Sequence, residues 1–310
     1  MRNIRDYSRP LLITRILLVA VLLIPLALSQ AAAAAVHVDT KADEVIGKHL
    51  ESLNAAAARE DARSRVVVGT CRAVFRGARG NLLATGGVVL ASEDSKSLLG
   101  MKFQIPEYSG ERLGFDGKKF TVGYVTPGIR STLGSFLLMH EDIYKEGLVG
   151  GTLSSAWPLL NLPASGAKLR FEGTGKVGDI SAYKLSYAPR NGSDLSITLY
   201  FDAKTYQHVR TQYDRVVSAP IAGGGGLAST KAAEARAVDA QAGNRETRFK
   251  FIEDFSDYRQ EGKLNLPHTY TLQLEIQSTS NSVNNKWEMT LNQFAFNQEI
   301  DEKEFDVVGK

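Results

Sequence analysis

Five stretches of this chain alternate apolar and polar side chains with a period of two, and that pattern constrains the fold more than any other feature. In the clearest, Leu195, Ile197, Leu199 and Phe201 point one way while Ser196, Thr198 and Tyr200 point the other. The same one-sided alternation recurs in Phe120, Val122, Tyr124; in Tyr183, Leu185, Tyr187; in Tyr270, Leu272, Leu274, Ile276; and in Trp287, Met289, Leu291. Such strands make a sheet with one apolar face and one wet face. Turn signals stand between them at Asp116-Gly117, Asn191-Gly192 and Asp202 to Thr205, so neighbouring strands are expected to pair as antiparallel hairpins. The pattern predicts about ten strands in all, and a twisted sheet of that size curls, leaving its apolar face concave. An apolar surface of that extent has to be covered.

The cover is expected from the one long interruption of the strand pattern, residues 131 to 163. It begins STLGSFLLMHEDIYKEGL, with neither strand alternation nor a β-branched run, and continues VGGTLSSAWPLLNLP. Leu133, Phe136 and Leu137, with Tyr144 further on, have helical spacing, and Gly150-Gly151 is expected to separate that helix from a second short one containing Trp157. Two readings stay open on pattern alone. The helices are either a permanent plug in a packed α+β core or a lid over a hydrophobic cavity lined by Leu133, Phe136, Leu137, Trp157 and Leu160, since both bury the same residues. In the lid reading, Gly134 and Gly150-Gly151 are the candidate hinges.

Ahead of the strands, Thr40 to Asn54 reads as one amphipathic helix, with Val45, Ile46, Leu50 and Leu53 at helical spacing and a capping signature in Thr40 and Asp43. Residues 1 to 35 read as a secretory signal: Arg2, Arg5, Arg9 and Arg15 precede the apolar run Ile16 to Leu28 and the small-residue zone Ala31 to Ala35. That run covers roughly 20 Å of a ~30 Å hydrocarbon core, which favours cleavage over an uncleaved anchor from Ile16 to Val36. Either way the remainder, 36 to 310, is expected to be exported as a single domain. Residues 218 to 244, with a tetraglycine and an Ala-rich charged piece, read as a flexible loop with a short helix.

The full chain has 37 basic and 34 acidic residues, but beyond residue 35 the two are equal at 33 each. The excess of positive charge belongs to the leader, and nothing suggests a nucleic-acid partner. The single cysteine, Cys71, lies in the apolar run VVVGTCRAVF and is expected to be buried and inert. With no cysteine in the cleavage zone there is no site for an N-terminal lipid, so a soluble mature chain is expected. Gly173 to Gly178, GTGKVG, fits a dinucleotide-binding pattern by letters, but DISAYKLSY after it alternates like a strand, so a hairpin turn is expected instead. The five histidines lack metal-ligand spacing, and His140 beside Glu141 and Asp142 reads as a solvated helix end; His268 is expected on a strand beside Pro267. No catalytic arrangement, metal or cofactor is assigned, and the acidic tail EIDEKEFD reads as surface charge.

LGFDGKKFTVGYV, LYFDAKTYQHVRTQYD, FSDYRQEGKLNLPHTYTLQ and FNQEIDEKEFDV, in this order after the leader and the amphipathic helix, resemble the periplasmic outer-membrane lipoprotein-sorting (LolA/LolB-like) superfamily over roughly residues 40 to 310. The resemblance implies a curled antiparallel β half-barrel whose concave hydrophobic face is covered by helices. It also implies a periplasmic, non-enzymatic carrier of lipid or of the acyl chains of lipoproteins, working between an inner-membrane donor and an outer-membrane acceptor. This chain is longer than the small dedicated carriers, with a larger central insertion and the added tetraglycine loop. A structural or sensor module of the same fold, acting through protein–protein contacts, is the alternative.

Overall fold

The computed structural model describes residues 39–54, 63–77, 80–217, 246–278 and 282–308. The leader and the segment 218–244 expected to be a loop lie outside the described residues. Twelve strands form one sheet, β1 (Ser64–Gly77), β2 (Gly80–Glu93), β3 (Lys96–Ile105), β4 (Tyr108–Phe115), β5 (Phe120–Val122), β6 (Lys168–Val177), β7 (Ile180–Ala188), β8 (Ser196–Asp202), β9 (His208–Val217), β10 (Thr247–Glu261), β11 (Leu264–Gln277) and β12 (Ser282–Phe296). Their order is β5-β4-β3-β2-β1-β12-β11-β10-β9-β8-β7-β6, every pairing antiparallel. Strands adjacent in sequence pair with each other, except β5 and β6, which are the two edges of the sheet, and β1 joins the two halves by pairing with β12, with Cys71 opposite Met289 and Ala73 opposite Trp287. The result is an open, curled antiparallel sheet with few helices, the half-barrel architecture read from the sequence.

Curling has local causes. Register shifts at Val68/Gly69, Lys102/Ile105, Phe171/Thr174 and Tyr200/Phe201 are bulges, which bend a strand and increase its twist. The alternation assigns faces as expected: Leu195, Ile197, Leu199, Phe201, Leu272, Leu274, Trp287 and Met289 are all buried in one continuous core. Twelve strands replace the expected ten because β6 and β2 hide their pattern. β6 carries Lys168, Arg170, Glu172 and Lys176, charges that suit an edge strand, and β2 is diluted by Gly86 and Gly87. Of GTGKVG only Gly178 lies in the turn that follows β6; Gly173 sits at the β6 bulge with φ 92°. Tyr124, expected on the apolar face, lies past the end of β5 and is 51% exposed.

The helices complete the layer. α1 (Thr40–Ser52) buries Ala42, Val45, Ile46 and His49. Its cap is Asp39 rather than Thr40: the carboxylate accepts from the Lys41 and Ala42 amides, and its second oxygen accepts from Phe171 N–H at 2.7 Å, tying the helix to edge strand β6. The expected central helix is two, α2 (Thr132–Met139) and α3 (Glu141–Lys145), broken at His140, whose ψ of 46° is not helical. Trp157 stands at the entrance of a short 3₁₀ turn, Pro158–Asn161, not inside a helix, because Pro158 and Pro163 leave no room for a continuous ladder. That turn runs into α4 (Leu162–Ser165). Gly150 opens another turn, Gly151–Leu153, at φ 89°, a left-handed geometry suited to glycine. At Gly134 a Cβ would lie 2.7 Å from Val122 Cγ1, so its smallness serves helix–strand packing. The C-terminal turn Glu302–Phe305 lies on the other face of the sheet, where Gly114 leaves room for it and Val307 N–H donates to Thr121 Oγ1 at 3.1 Å.

Candidate functional site

The inner face of the sheet and the segment over it form the candidate site. Four of the five residues expected to line it are almost without exposure: Leu133 and Leu137 at 0%, Phe136 at 1% and Trp157 at 2%. Leu160 is half-buried at the margin of the same core. Phe136 faces Phe249 and Phe251 of β10, with ring centroids 6.2 and 5.6 Å apart. Trp157 stacks on His208 of β9 at 5.1 Å and meets His49 of α1 edge-on at 5.2 Å. α2 and Trp157 thus lie against different strands, and the core between cover and sheet joins them. A void beneath the cover, lined in part by Leu90, Leu99, Tyr144, Leu153 and Tyr270, holds about 20 Å³. That is room for about one water.

Polar side chains on the inner face hold the cover down. Glu253 lies in β10 at the same parity as Phe249, Phe251 and Phe255 and is fully buried. It accepts from Gly150 N–H at 2.8 Å, from Tyr213 O–H at 2.7 Å and from Tyr270 O–H at 2.5 Å. Glu111 in β4 shares the parity of Leu113 and Phe115 and accepts from Tyr108 O–H at 2.6 Å and Ser131 O–H at 2.7 Å. Ser131 in turn caps α2, its Oγ accepting from Gly134 N–H at 2.7 Å. Arg65 in β1 donates from Nη1 to the carbonyls of Thr152 and Ser154, at 2.8 and 3.3 Å. Burial pushes both carboxyls up to about 7 and the guanidinium down to about 10, because each loses water that favours its charged form.

Sequence reading missed all three. Their signal was parity: each occupies an inward position of an alternating strand, where a carboxylate or guanidinium is unexpected.

The histidines are not where the sequence suggested. His140 is 1% exposed rather than a solvated end, because the break between α2 and α3 turns it under the cover toward Asp194, 2.9 Å from Nδ1. His49 Nδ1 lies 2.8 Å from the Tyr206 carbonyl, and His208 Nε2 lies 3.0 Å from the Arg210 carbonyl. Their other ring nitrogens, His49 Nε2 and His208 Nδ1, are buried without hydrogen-bond partners among the described residues, as is Trp157 Nε1. Burial pushes His49 down to about 4 and holds His208 well below the ordinary imidazole value, so both rings are neutral at pH 7. His268 lies on β11, as expected, its Nε2 2.9 Å from Glu261. Cys71 is buried and its thiol is pushed up to about 12, chiefly by burial, which leaves it unreactive at neutral pH.

The fold and this covered face define a class: an open antiparallel sheet, curled around an apolar interior, with a short-helix segment closing it. No protein-family model and no curated protein matches the chain. Among solved structures it is similar to a LolA superfamily protein from Nitrosomonas europaea, at 10% identity and a TM-score of 0.42 over 84% of this chain and 96% of that one. A DUF1329 family protein from Desulfovibrio piger is similar at 9% identity and a TM-score of 0.38, over 86% of this chain and 97% of that one. The Mycobacterium tuberculosis lipoprotein LppX is similar at 11% identity and a TM-score of 0.21, over 84% and 98%.

Proposed function

We propose that this protein is an exported, periplasmic, non-enzymatic carrier or binding protein for a lipid or for the acyl chains of a lipoprotein. The segment 131–163 is its lid, and Leu133, Phe136, Leu137, Trp157 and Leu160 form the surface that cargo would meet. The observation that supports this reading is the attachment of the cover by Arg65, Glu111 and Glu253. Buried charged groups stabilise a permanent plug less well than apolar side chains of the same volume would. They suit a cover that lifts, because water takes over their hydrogen bonds once the segment moves away. The exposed inner face could then be covered again by cargo: each methylene buried gains about 0.8 kcal/mol, so a sixteen-carbon chain gains on the order of 10 kcal/mol before ordering costs. Delivery would follow from the same opening, with a membrane donor and acceptor as partners.

A second reading is favoured by the 20 Å³ void: a module of the same fold, plugged for good, that acts through protein–protein contacts. Two measurements separate them. The full chain is purified without detergent, and its native mass spectrum is compared with its organic extract; the extract of a carrier contains a stoichiometric lipid. Arg65→Leu, which removes one latch, should then speed exchange of that lipid for added fatty acid. A bare mass and no uptake by either protein would support the plugged module.

A further inference from the structure

The opposite face of the sheet carries a feature that the covered face does not explain. Across β1 to β4 a groove of about 610 Å³ opens on the outer side, within the roughly 300–1,000 Å³ typical of small-molecule sites. The register shows how it arises. Arg112, Gly100, Val89 and Val68 lie in one row across β4, β3, β2 and β1; Gly110, Lys102 and Gly87 lie in the next. Three glycines and two valines therefore make a low apolar floor. Lys102 and Arg112 stand over it as diagonal cross-strand neighbours, a relation that puts Cα atoms roughly 7–8 Å apart. Tyr124 forms a wall, held by Gly123 N–H donating to the Arg112 carbonyl at 2.8 Å and by Ser109 O–H donating to the Val125 carbonyl at 2.8 Å.

Two details point to a ligand. The first is Gly87. Its φ lies outside the left-handed region, and a Cβ added there would find its nearest neighbour, the Gly69 carbonyl oxygen, at 3.8 Å. Neither backbone nor packing requires a glycine, and a glycine weakens a strand. What the missing side chain provides is the open floor. The second is charge. Lys102 and Arg112 are exposed, and neither has an ion-pair partner among the described residues. The one carboxylate whose backbone lines the groove, Glu111, turns inward to Tyr108 and Ser131 and does not neutralise them.

We propose that this outer groove binds a single-chain anionic amphiphile, its chain on the glycine and valine floor and its anionic head between Lys102 and Arg112. An apolar floor alone would accept any hydrocarbon. Two unpaired cations on one rim select a carboxylate or phosphate head and disfavour an amine. The site is independent of the lid and of what lies beneath it.

The test titrates the full chain with decanoate, decyl phosphate and decylamine below their micellar concentrations, following backbone amide shifts by NMR. Both anions should shift Gly87, Gly100, Lys102 and Arg112, with decylamine at least tenfold weaker; the stronger anion identifies the head group as carboxylate or phosphate. Gly87→Phe fills the floor and should weaken the anions at least tenfold at unchanged thermal stability. Should that variant fail to fold, Lys102→Glu/Arg112→Glu carries the test, and it should reverse the preference toward decylamine. The proposal is overturned if decylamine binds as well as the anions or if the shifts fall on residues 131–163 instead. Wild-type affinity in folded Gly87→Phe, or an unchanged preference in the charge reversal, would also overturn it. A concentration-dependent dimer that protects these four residues would assign the face to a second copy of the chain and equally overturn it.

Discussion

Replacing Glu253 by glutamine should shift the difference in stability progressively in the variant's favour as pH rises from 5 to 8. The carboxyl is fully buried beneath the cover, and desolvation raises it from an ordinary 4.5 to about 7. A carboxyl raised in the folded state binds protons more tightly there than in the unfolded chain. Between 4.5 and 7 the folded protein therefore carries the extra proton, and stability falls as pH rises. With those two values, the linkage integral gives a loss of roughly 1 kcal/mol at pH 5 and roughly 3 kcal/mol at pH 8 relative to a permanently neutral group, a change of roughly 2–3 kcal/mol.

Wild-type stability alone would not reveal this. His49, lowered from 6.5 to about 4, contributes in the opposite sense over pH 4 to 6.5, where the unfolded chain binds the proton and the folded one does not. The difference between wild type and Glu253→Gln cancels His49 and isolates the carboxyl. Urea denaturation of both proteins at pH 5, 6, 7 and 8 measures it, with the amide keeping the volume and one acceptor for the Gly150 and tyrosine donors. The variant's absolute stability is immaterial; its slope relative to wild type is what the argument fixes. A difference that stays constant from pH 5 to 8, or grows in favour of wild type, would refute the raised carboxyl.

Phe136→Ala should lower stability by about 3–5 kcal/mol in urea denaturation, since the ring is 1% exposed and packs between α2 and Phe249 and Phe251. Asp39→Ala should cost about 1 kcal/mol or more and speed amide exchange in the first turn of α1 and at Phe171, because one carboxylate caps the helix and holds β6. Gly150→Ala should cost about 1 kcal/mol by the same denaturation assay, because an alanine at φ 89° is strained. Cys71 should resist iodoacetamide at pH 8 until the protein is unfolded, which mass spectrometry of the alkylated chain reports.

Much of the architecture is a local property of the chain. Period-two alternation at 195–201, 270–276 and 287–291 is enough to say that strands form and which side chains face the core, because a strand places successive Cβ atoms on opposite faces whatever its neighbours are. The apolar density of 131–163 likewise announces a buried cover on its own. What local pattern could not decide is what meets across the sheet. That Trp157 reaches His49 and His208, or that Glu253 receives Gly150 N–H, depends on contacts between residues some fifty to one hundred and ten positions apart, which only the closed fold creates.

The same holds for the break at His140 and the shift of the α1 cap to Asp39. Each is resolved by a distant partner, Asp194 for the ring and the Phe171 amide for the carboxylate, that outweighs local propensity. The outer groove is the sharpest instance. Gly87, Gly100, Lys102 and Arg112 look like unremarkable strand residues in the chain, and Gly87 reads there as a weakening of β2. Register places them in adjoining rows, and a groove is a property of rows across strands, which no single strand possesses. Sequence determined which residues would be strands, which face each would turn inward and that something must cover that face; the tertiary structure decided which side chains would share a surface, because pairing register and the crossing of the cover are set by cooperative packing over the whole sheet.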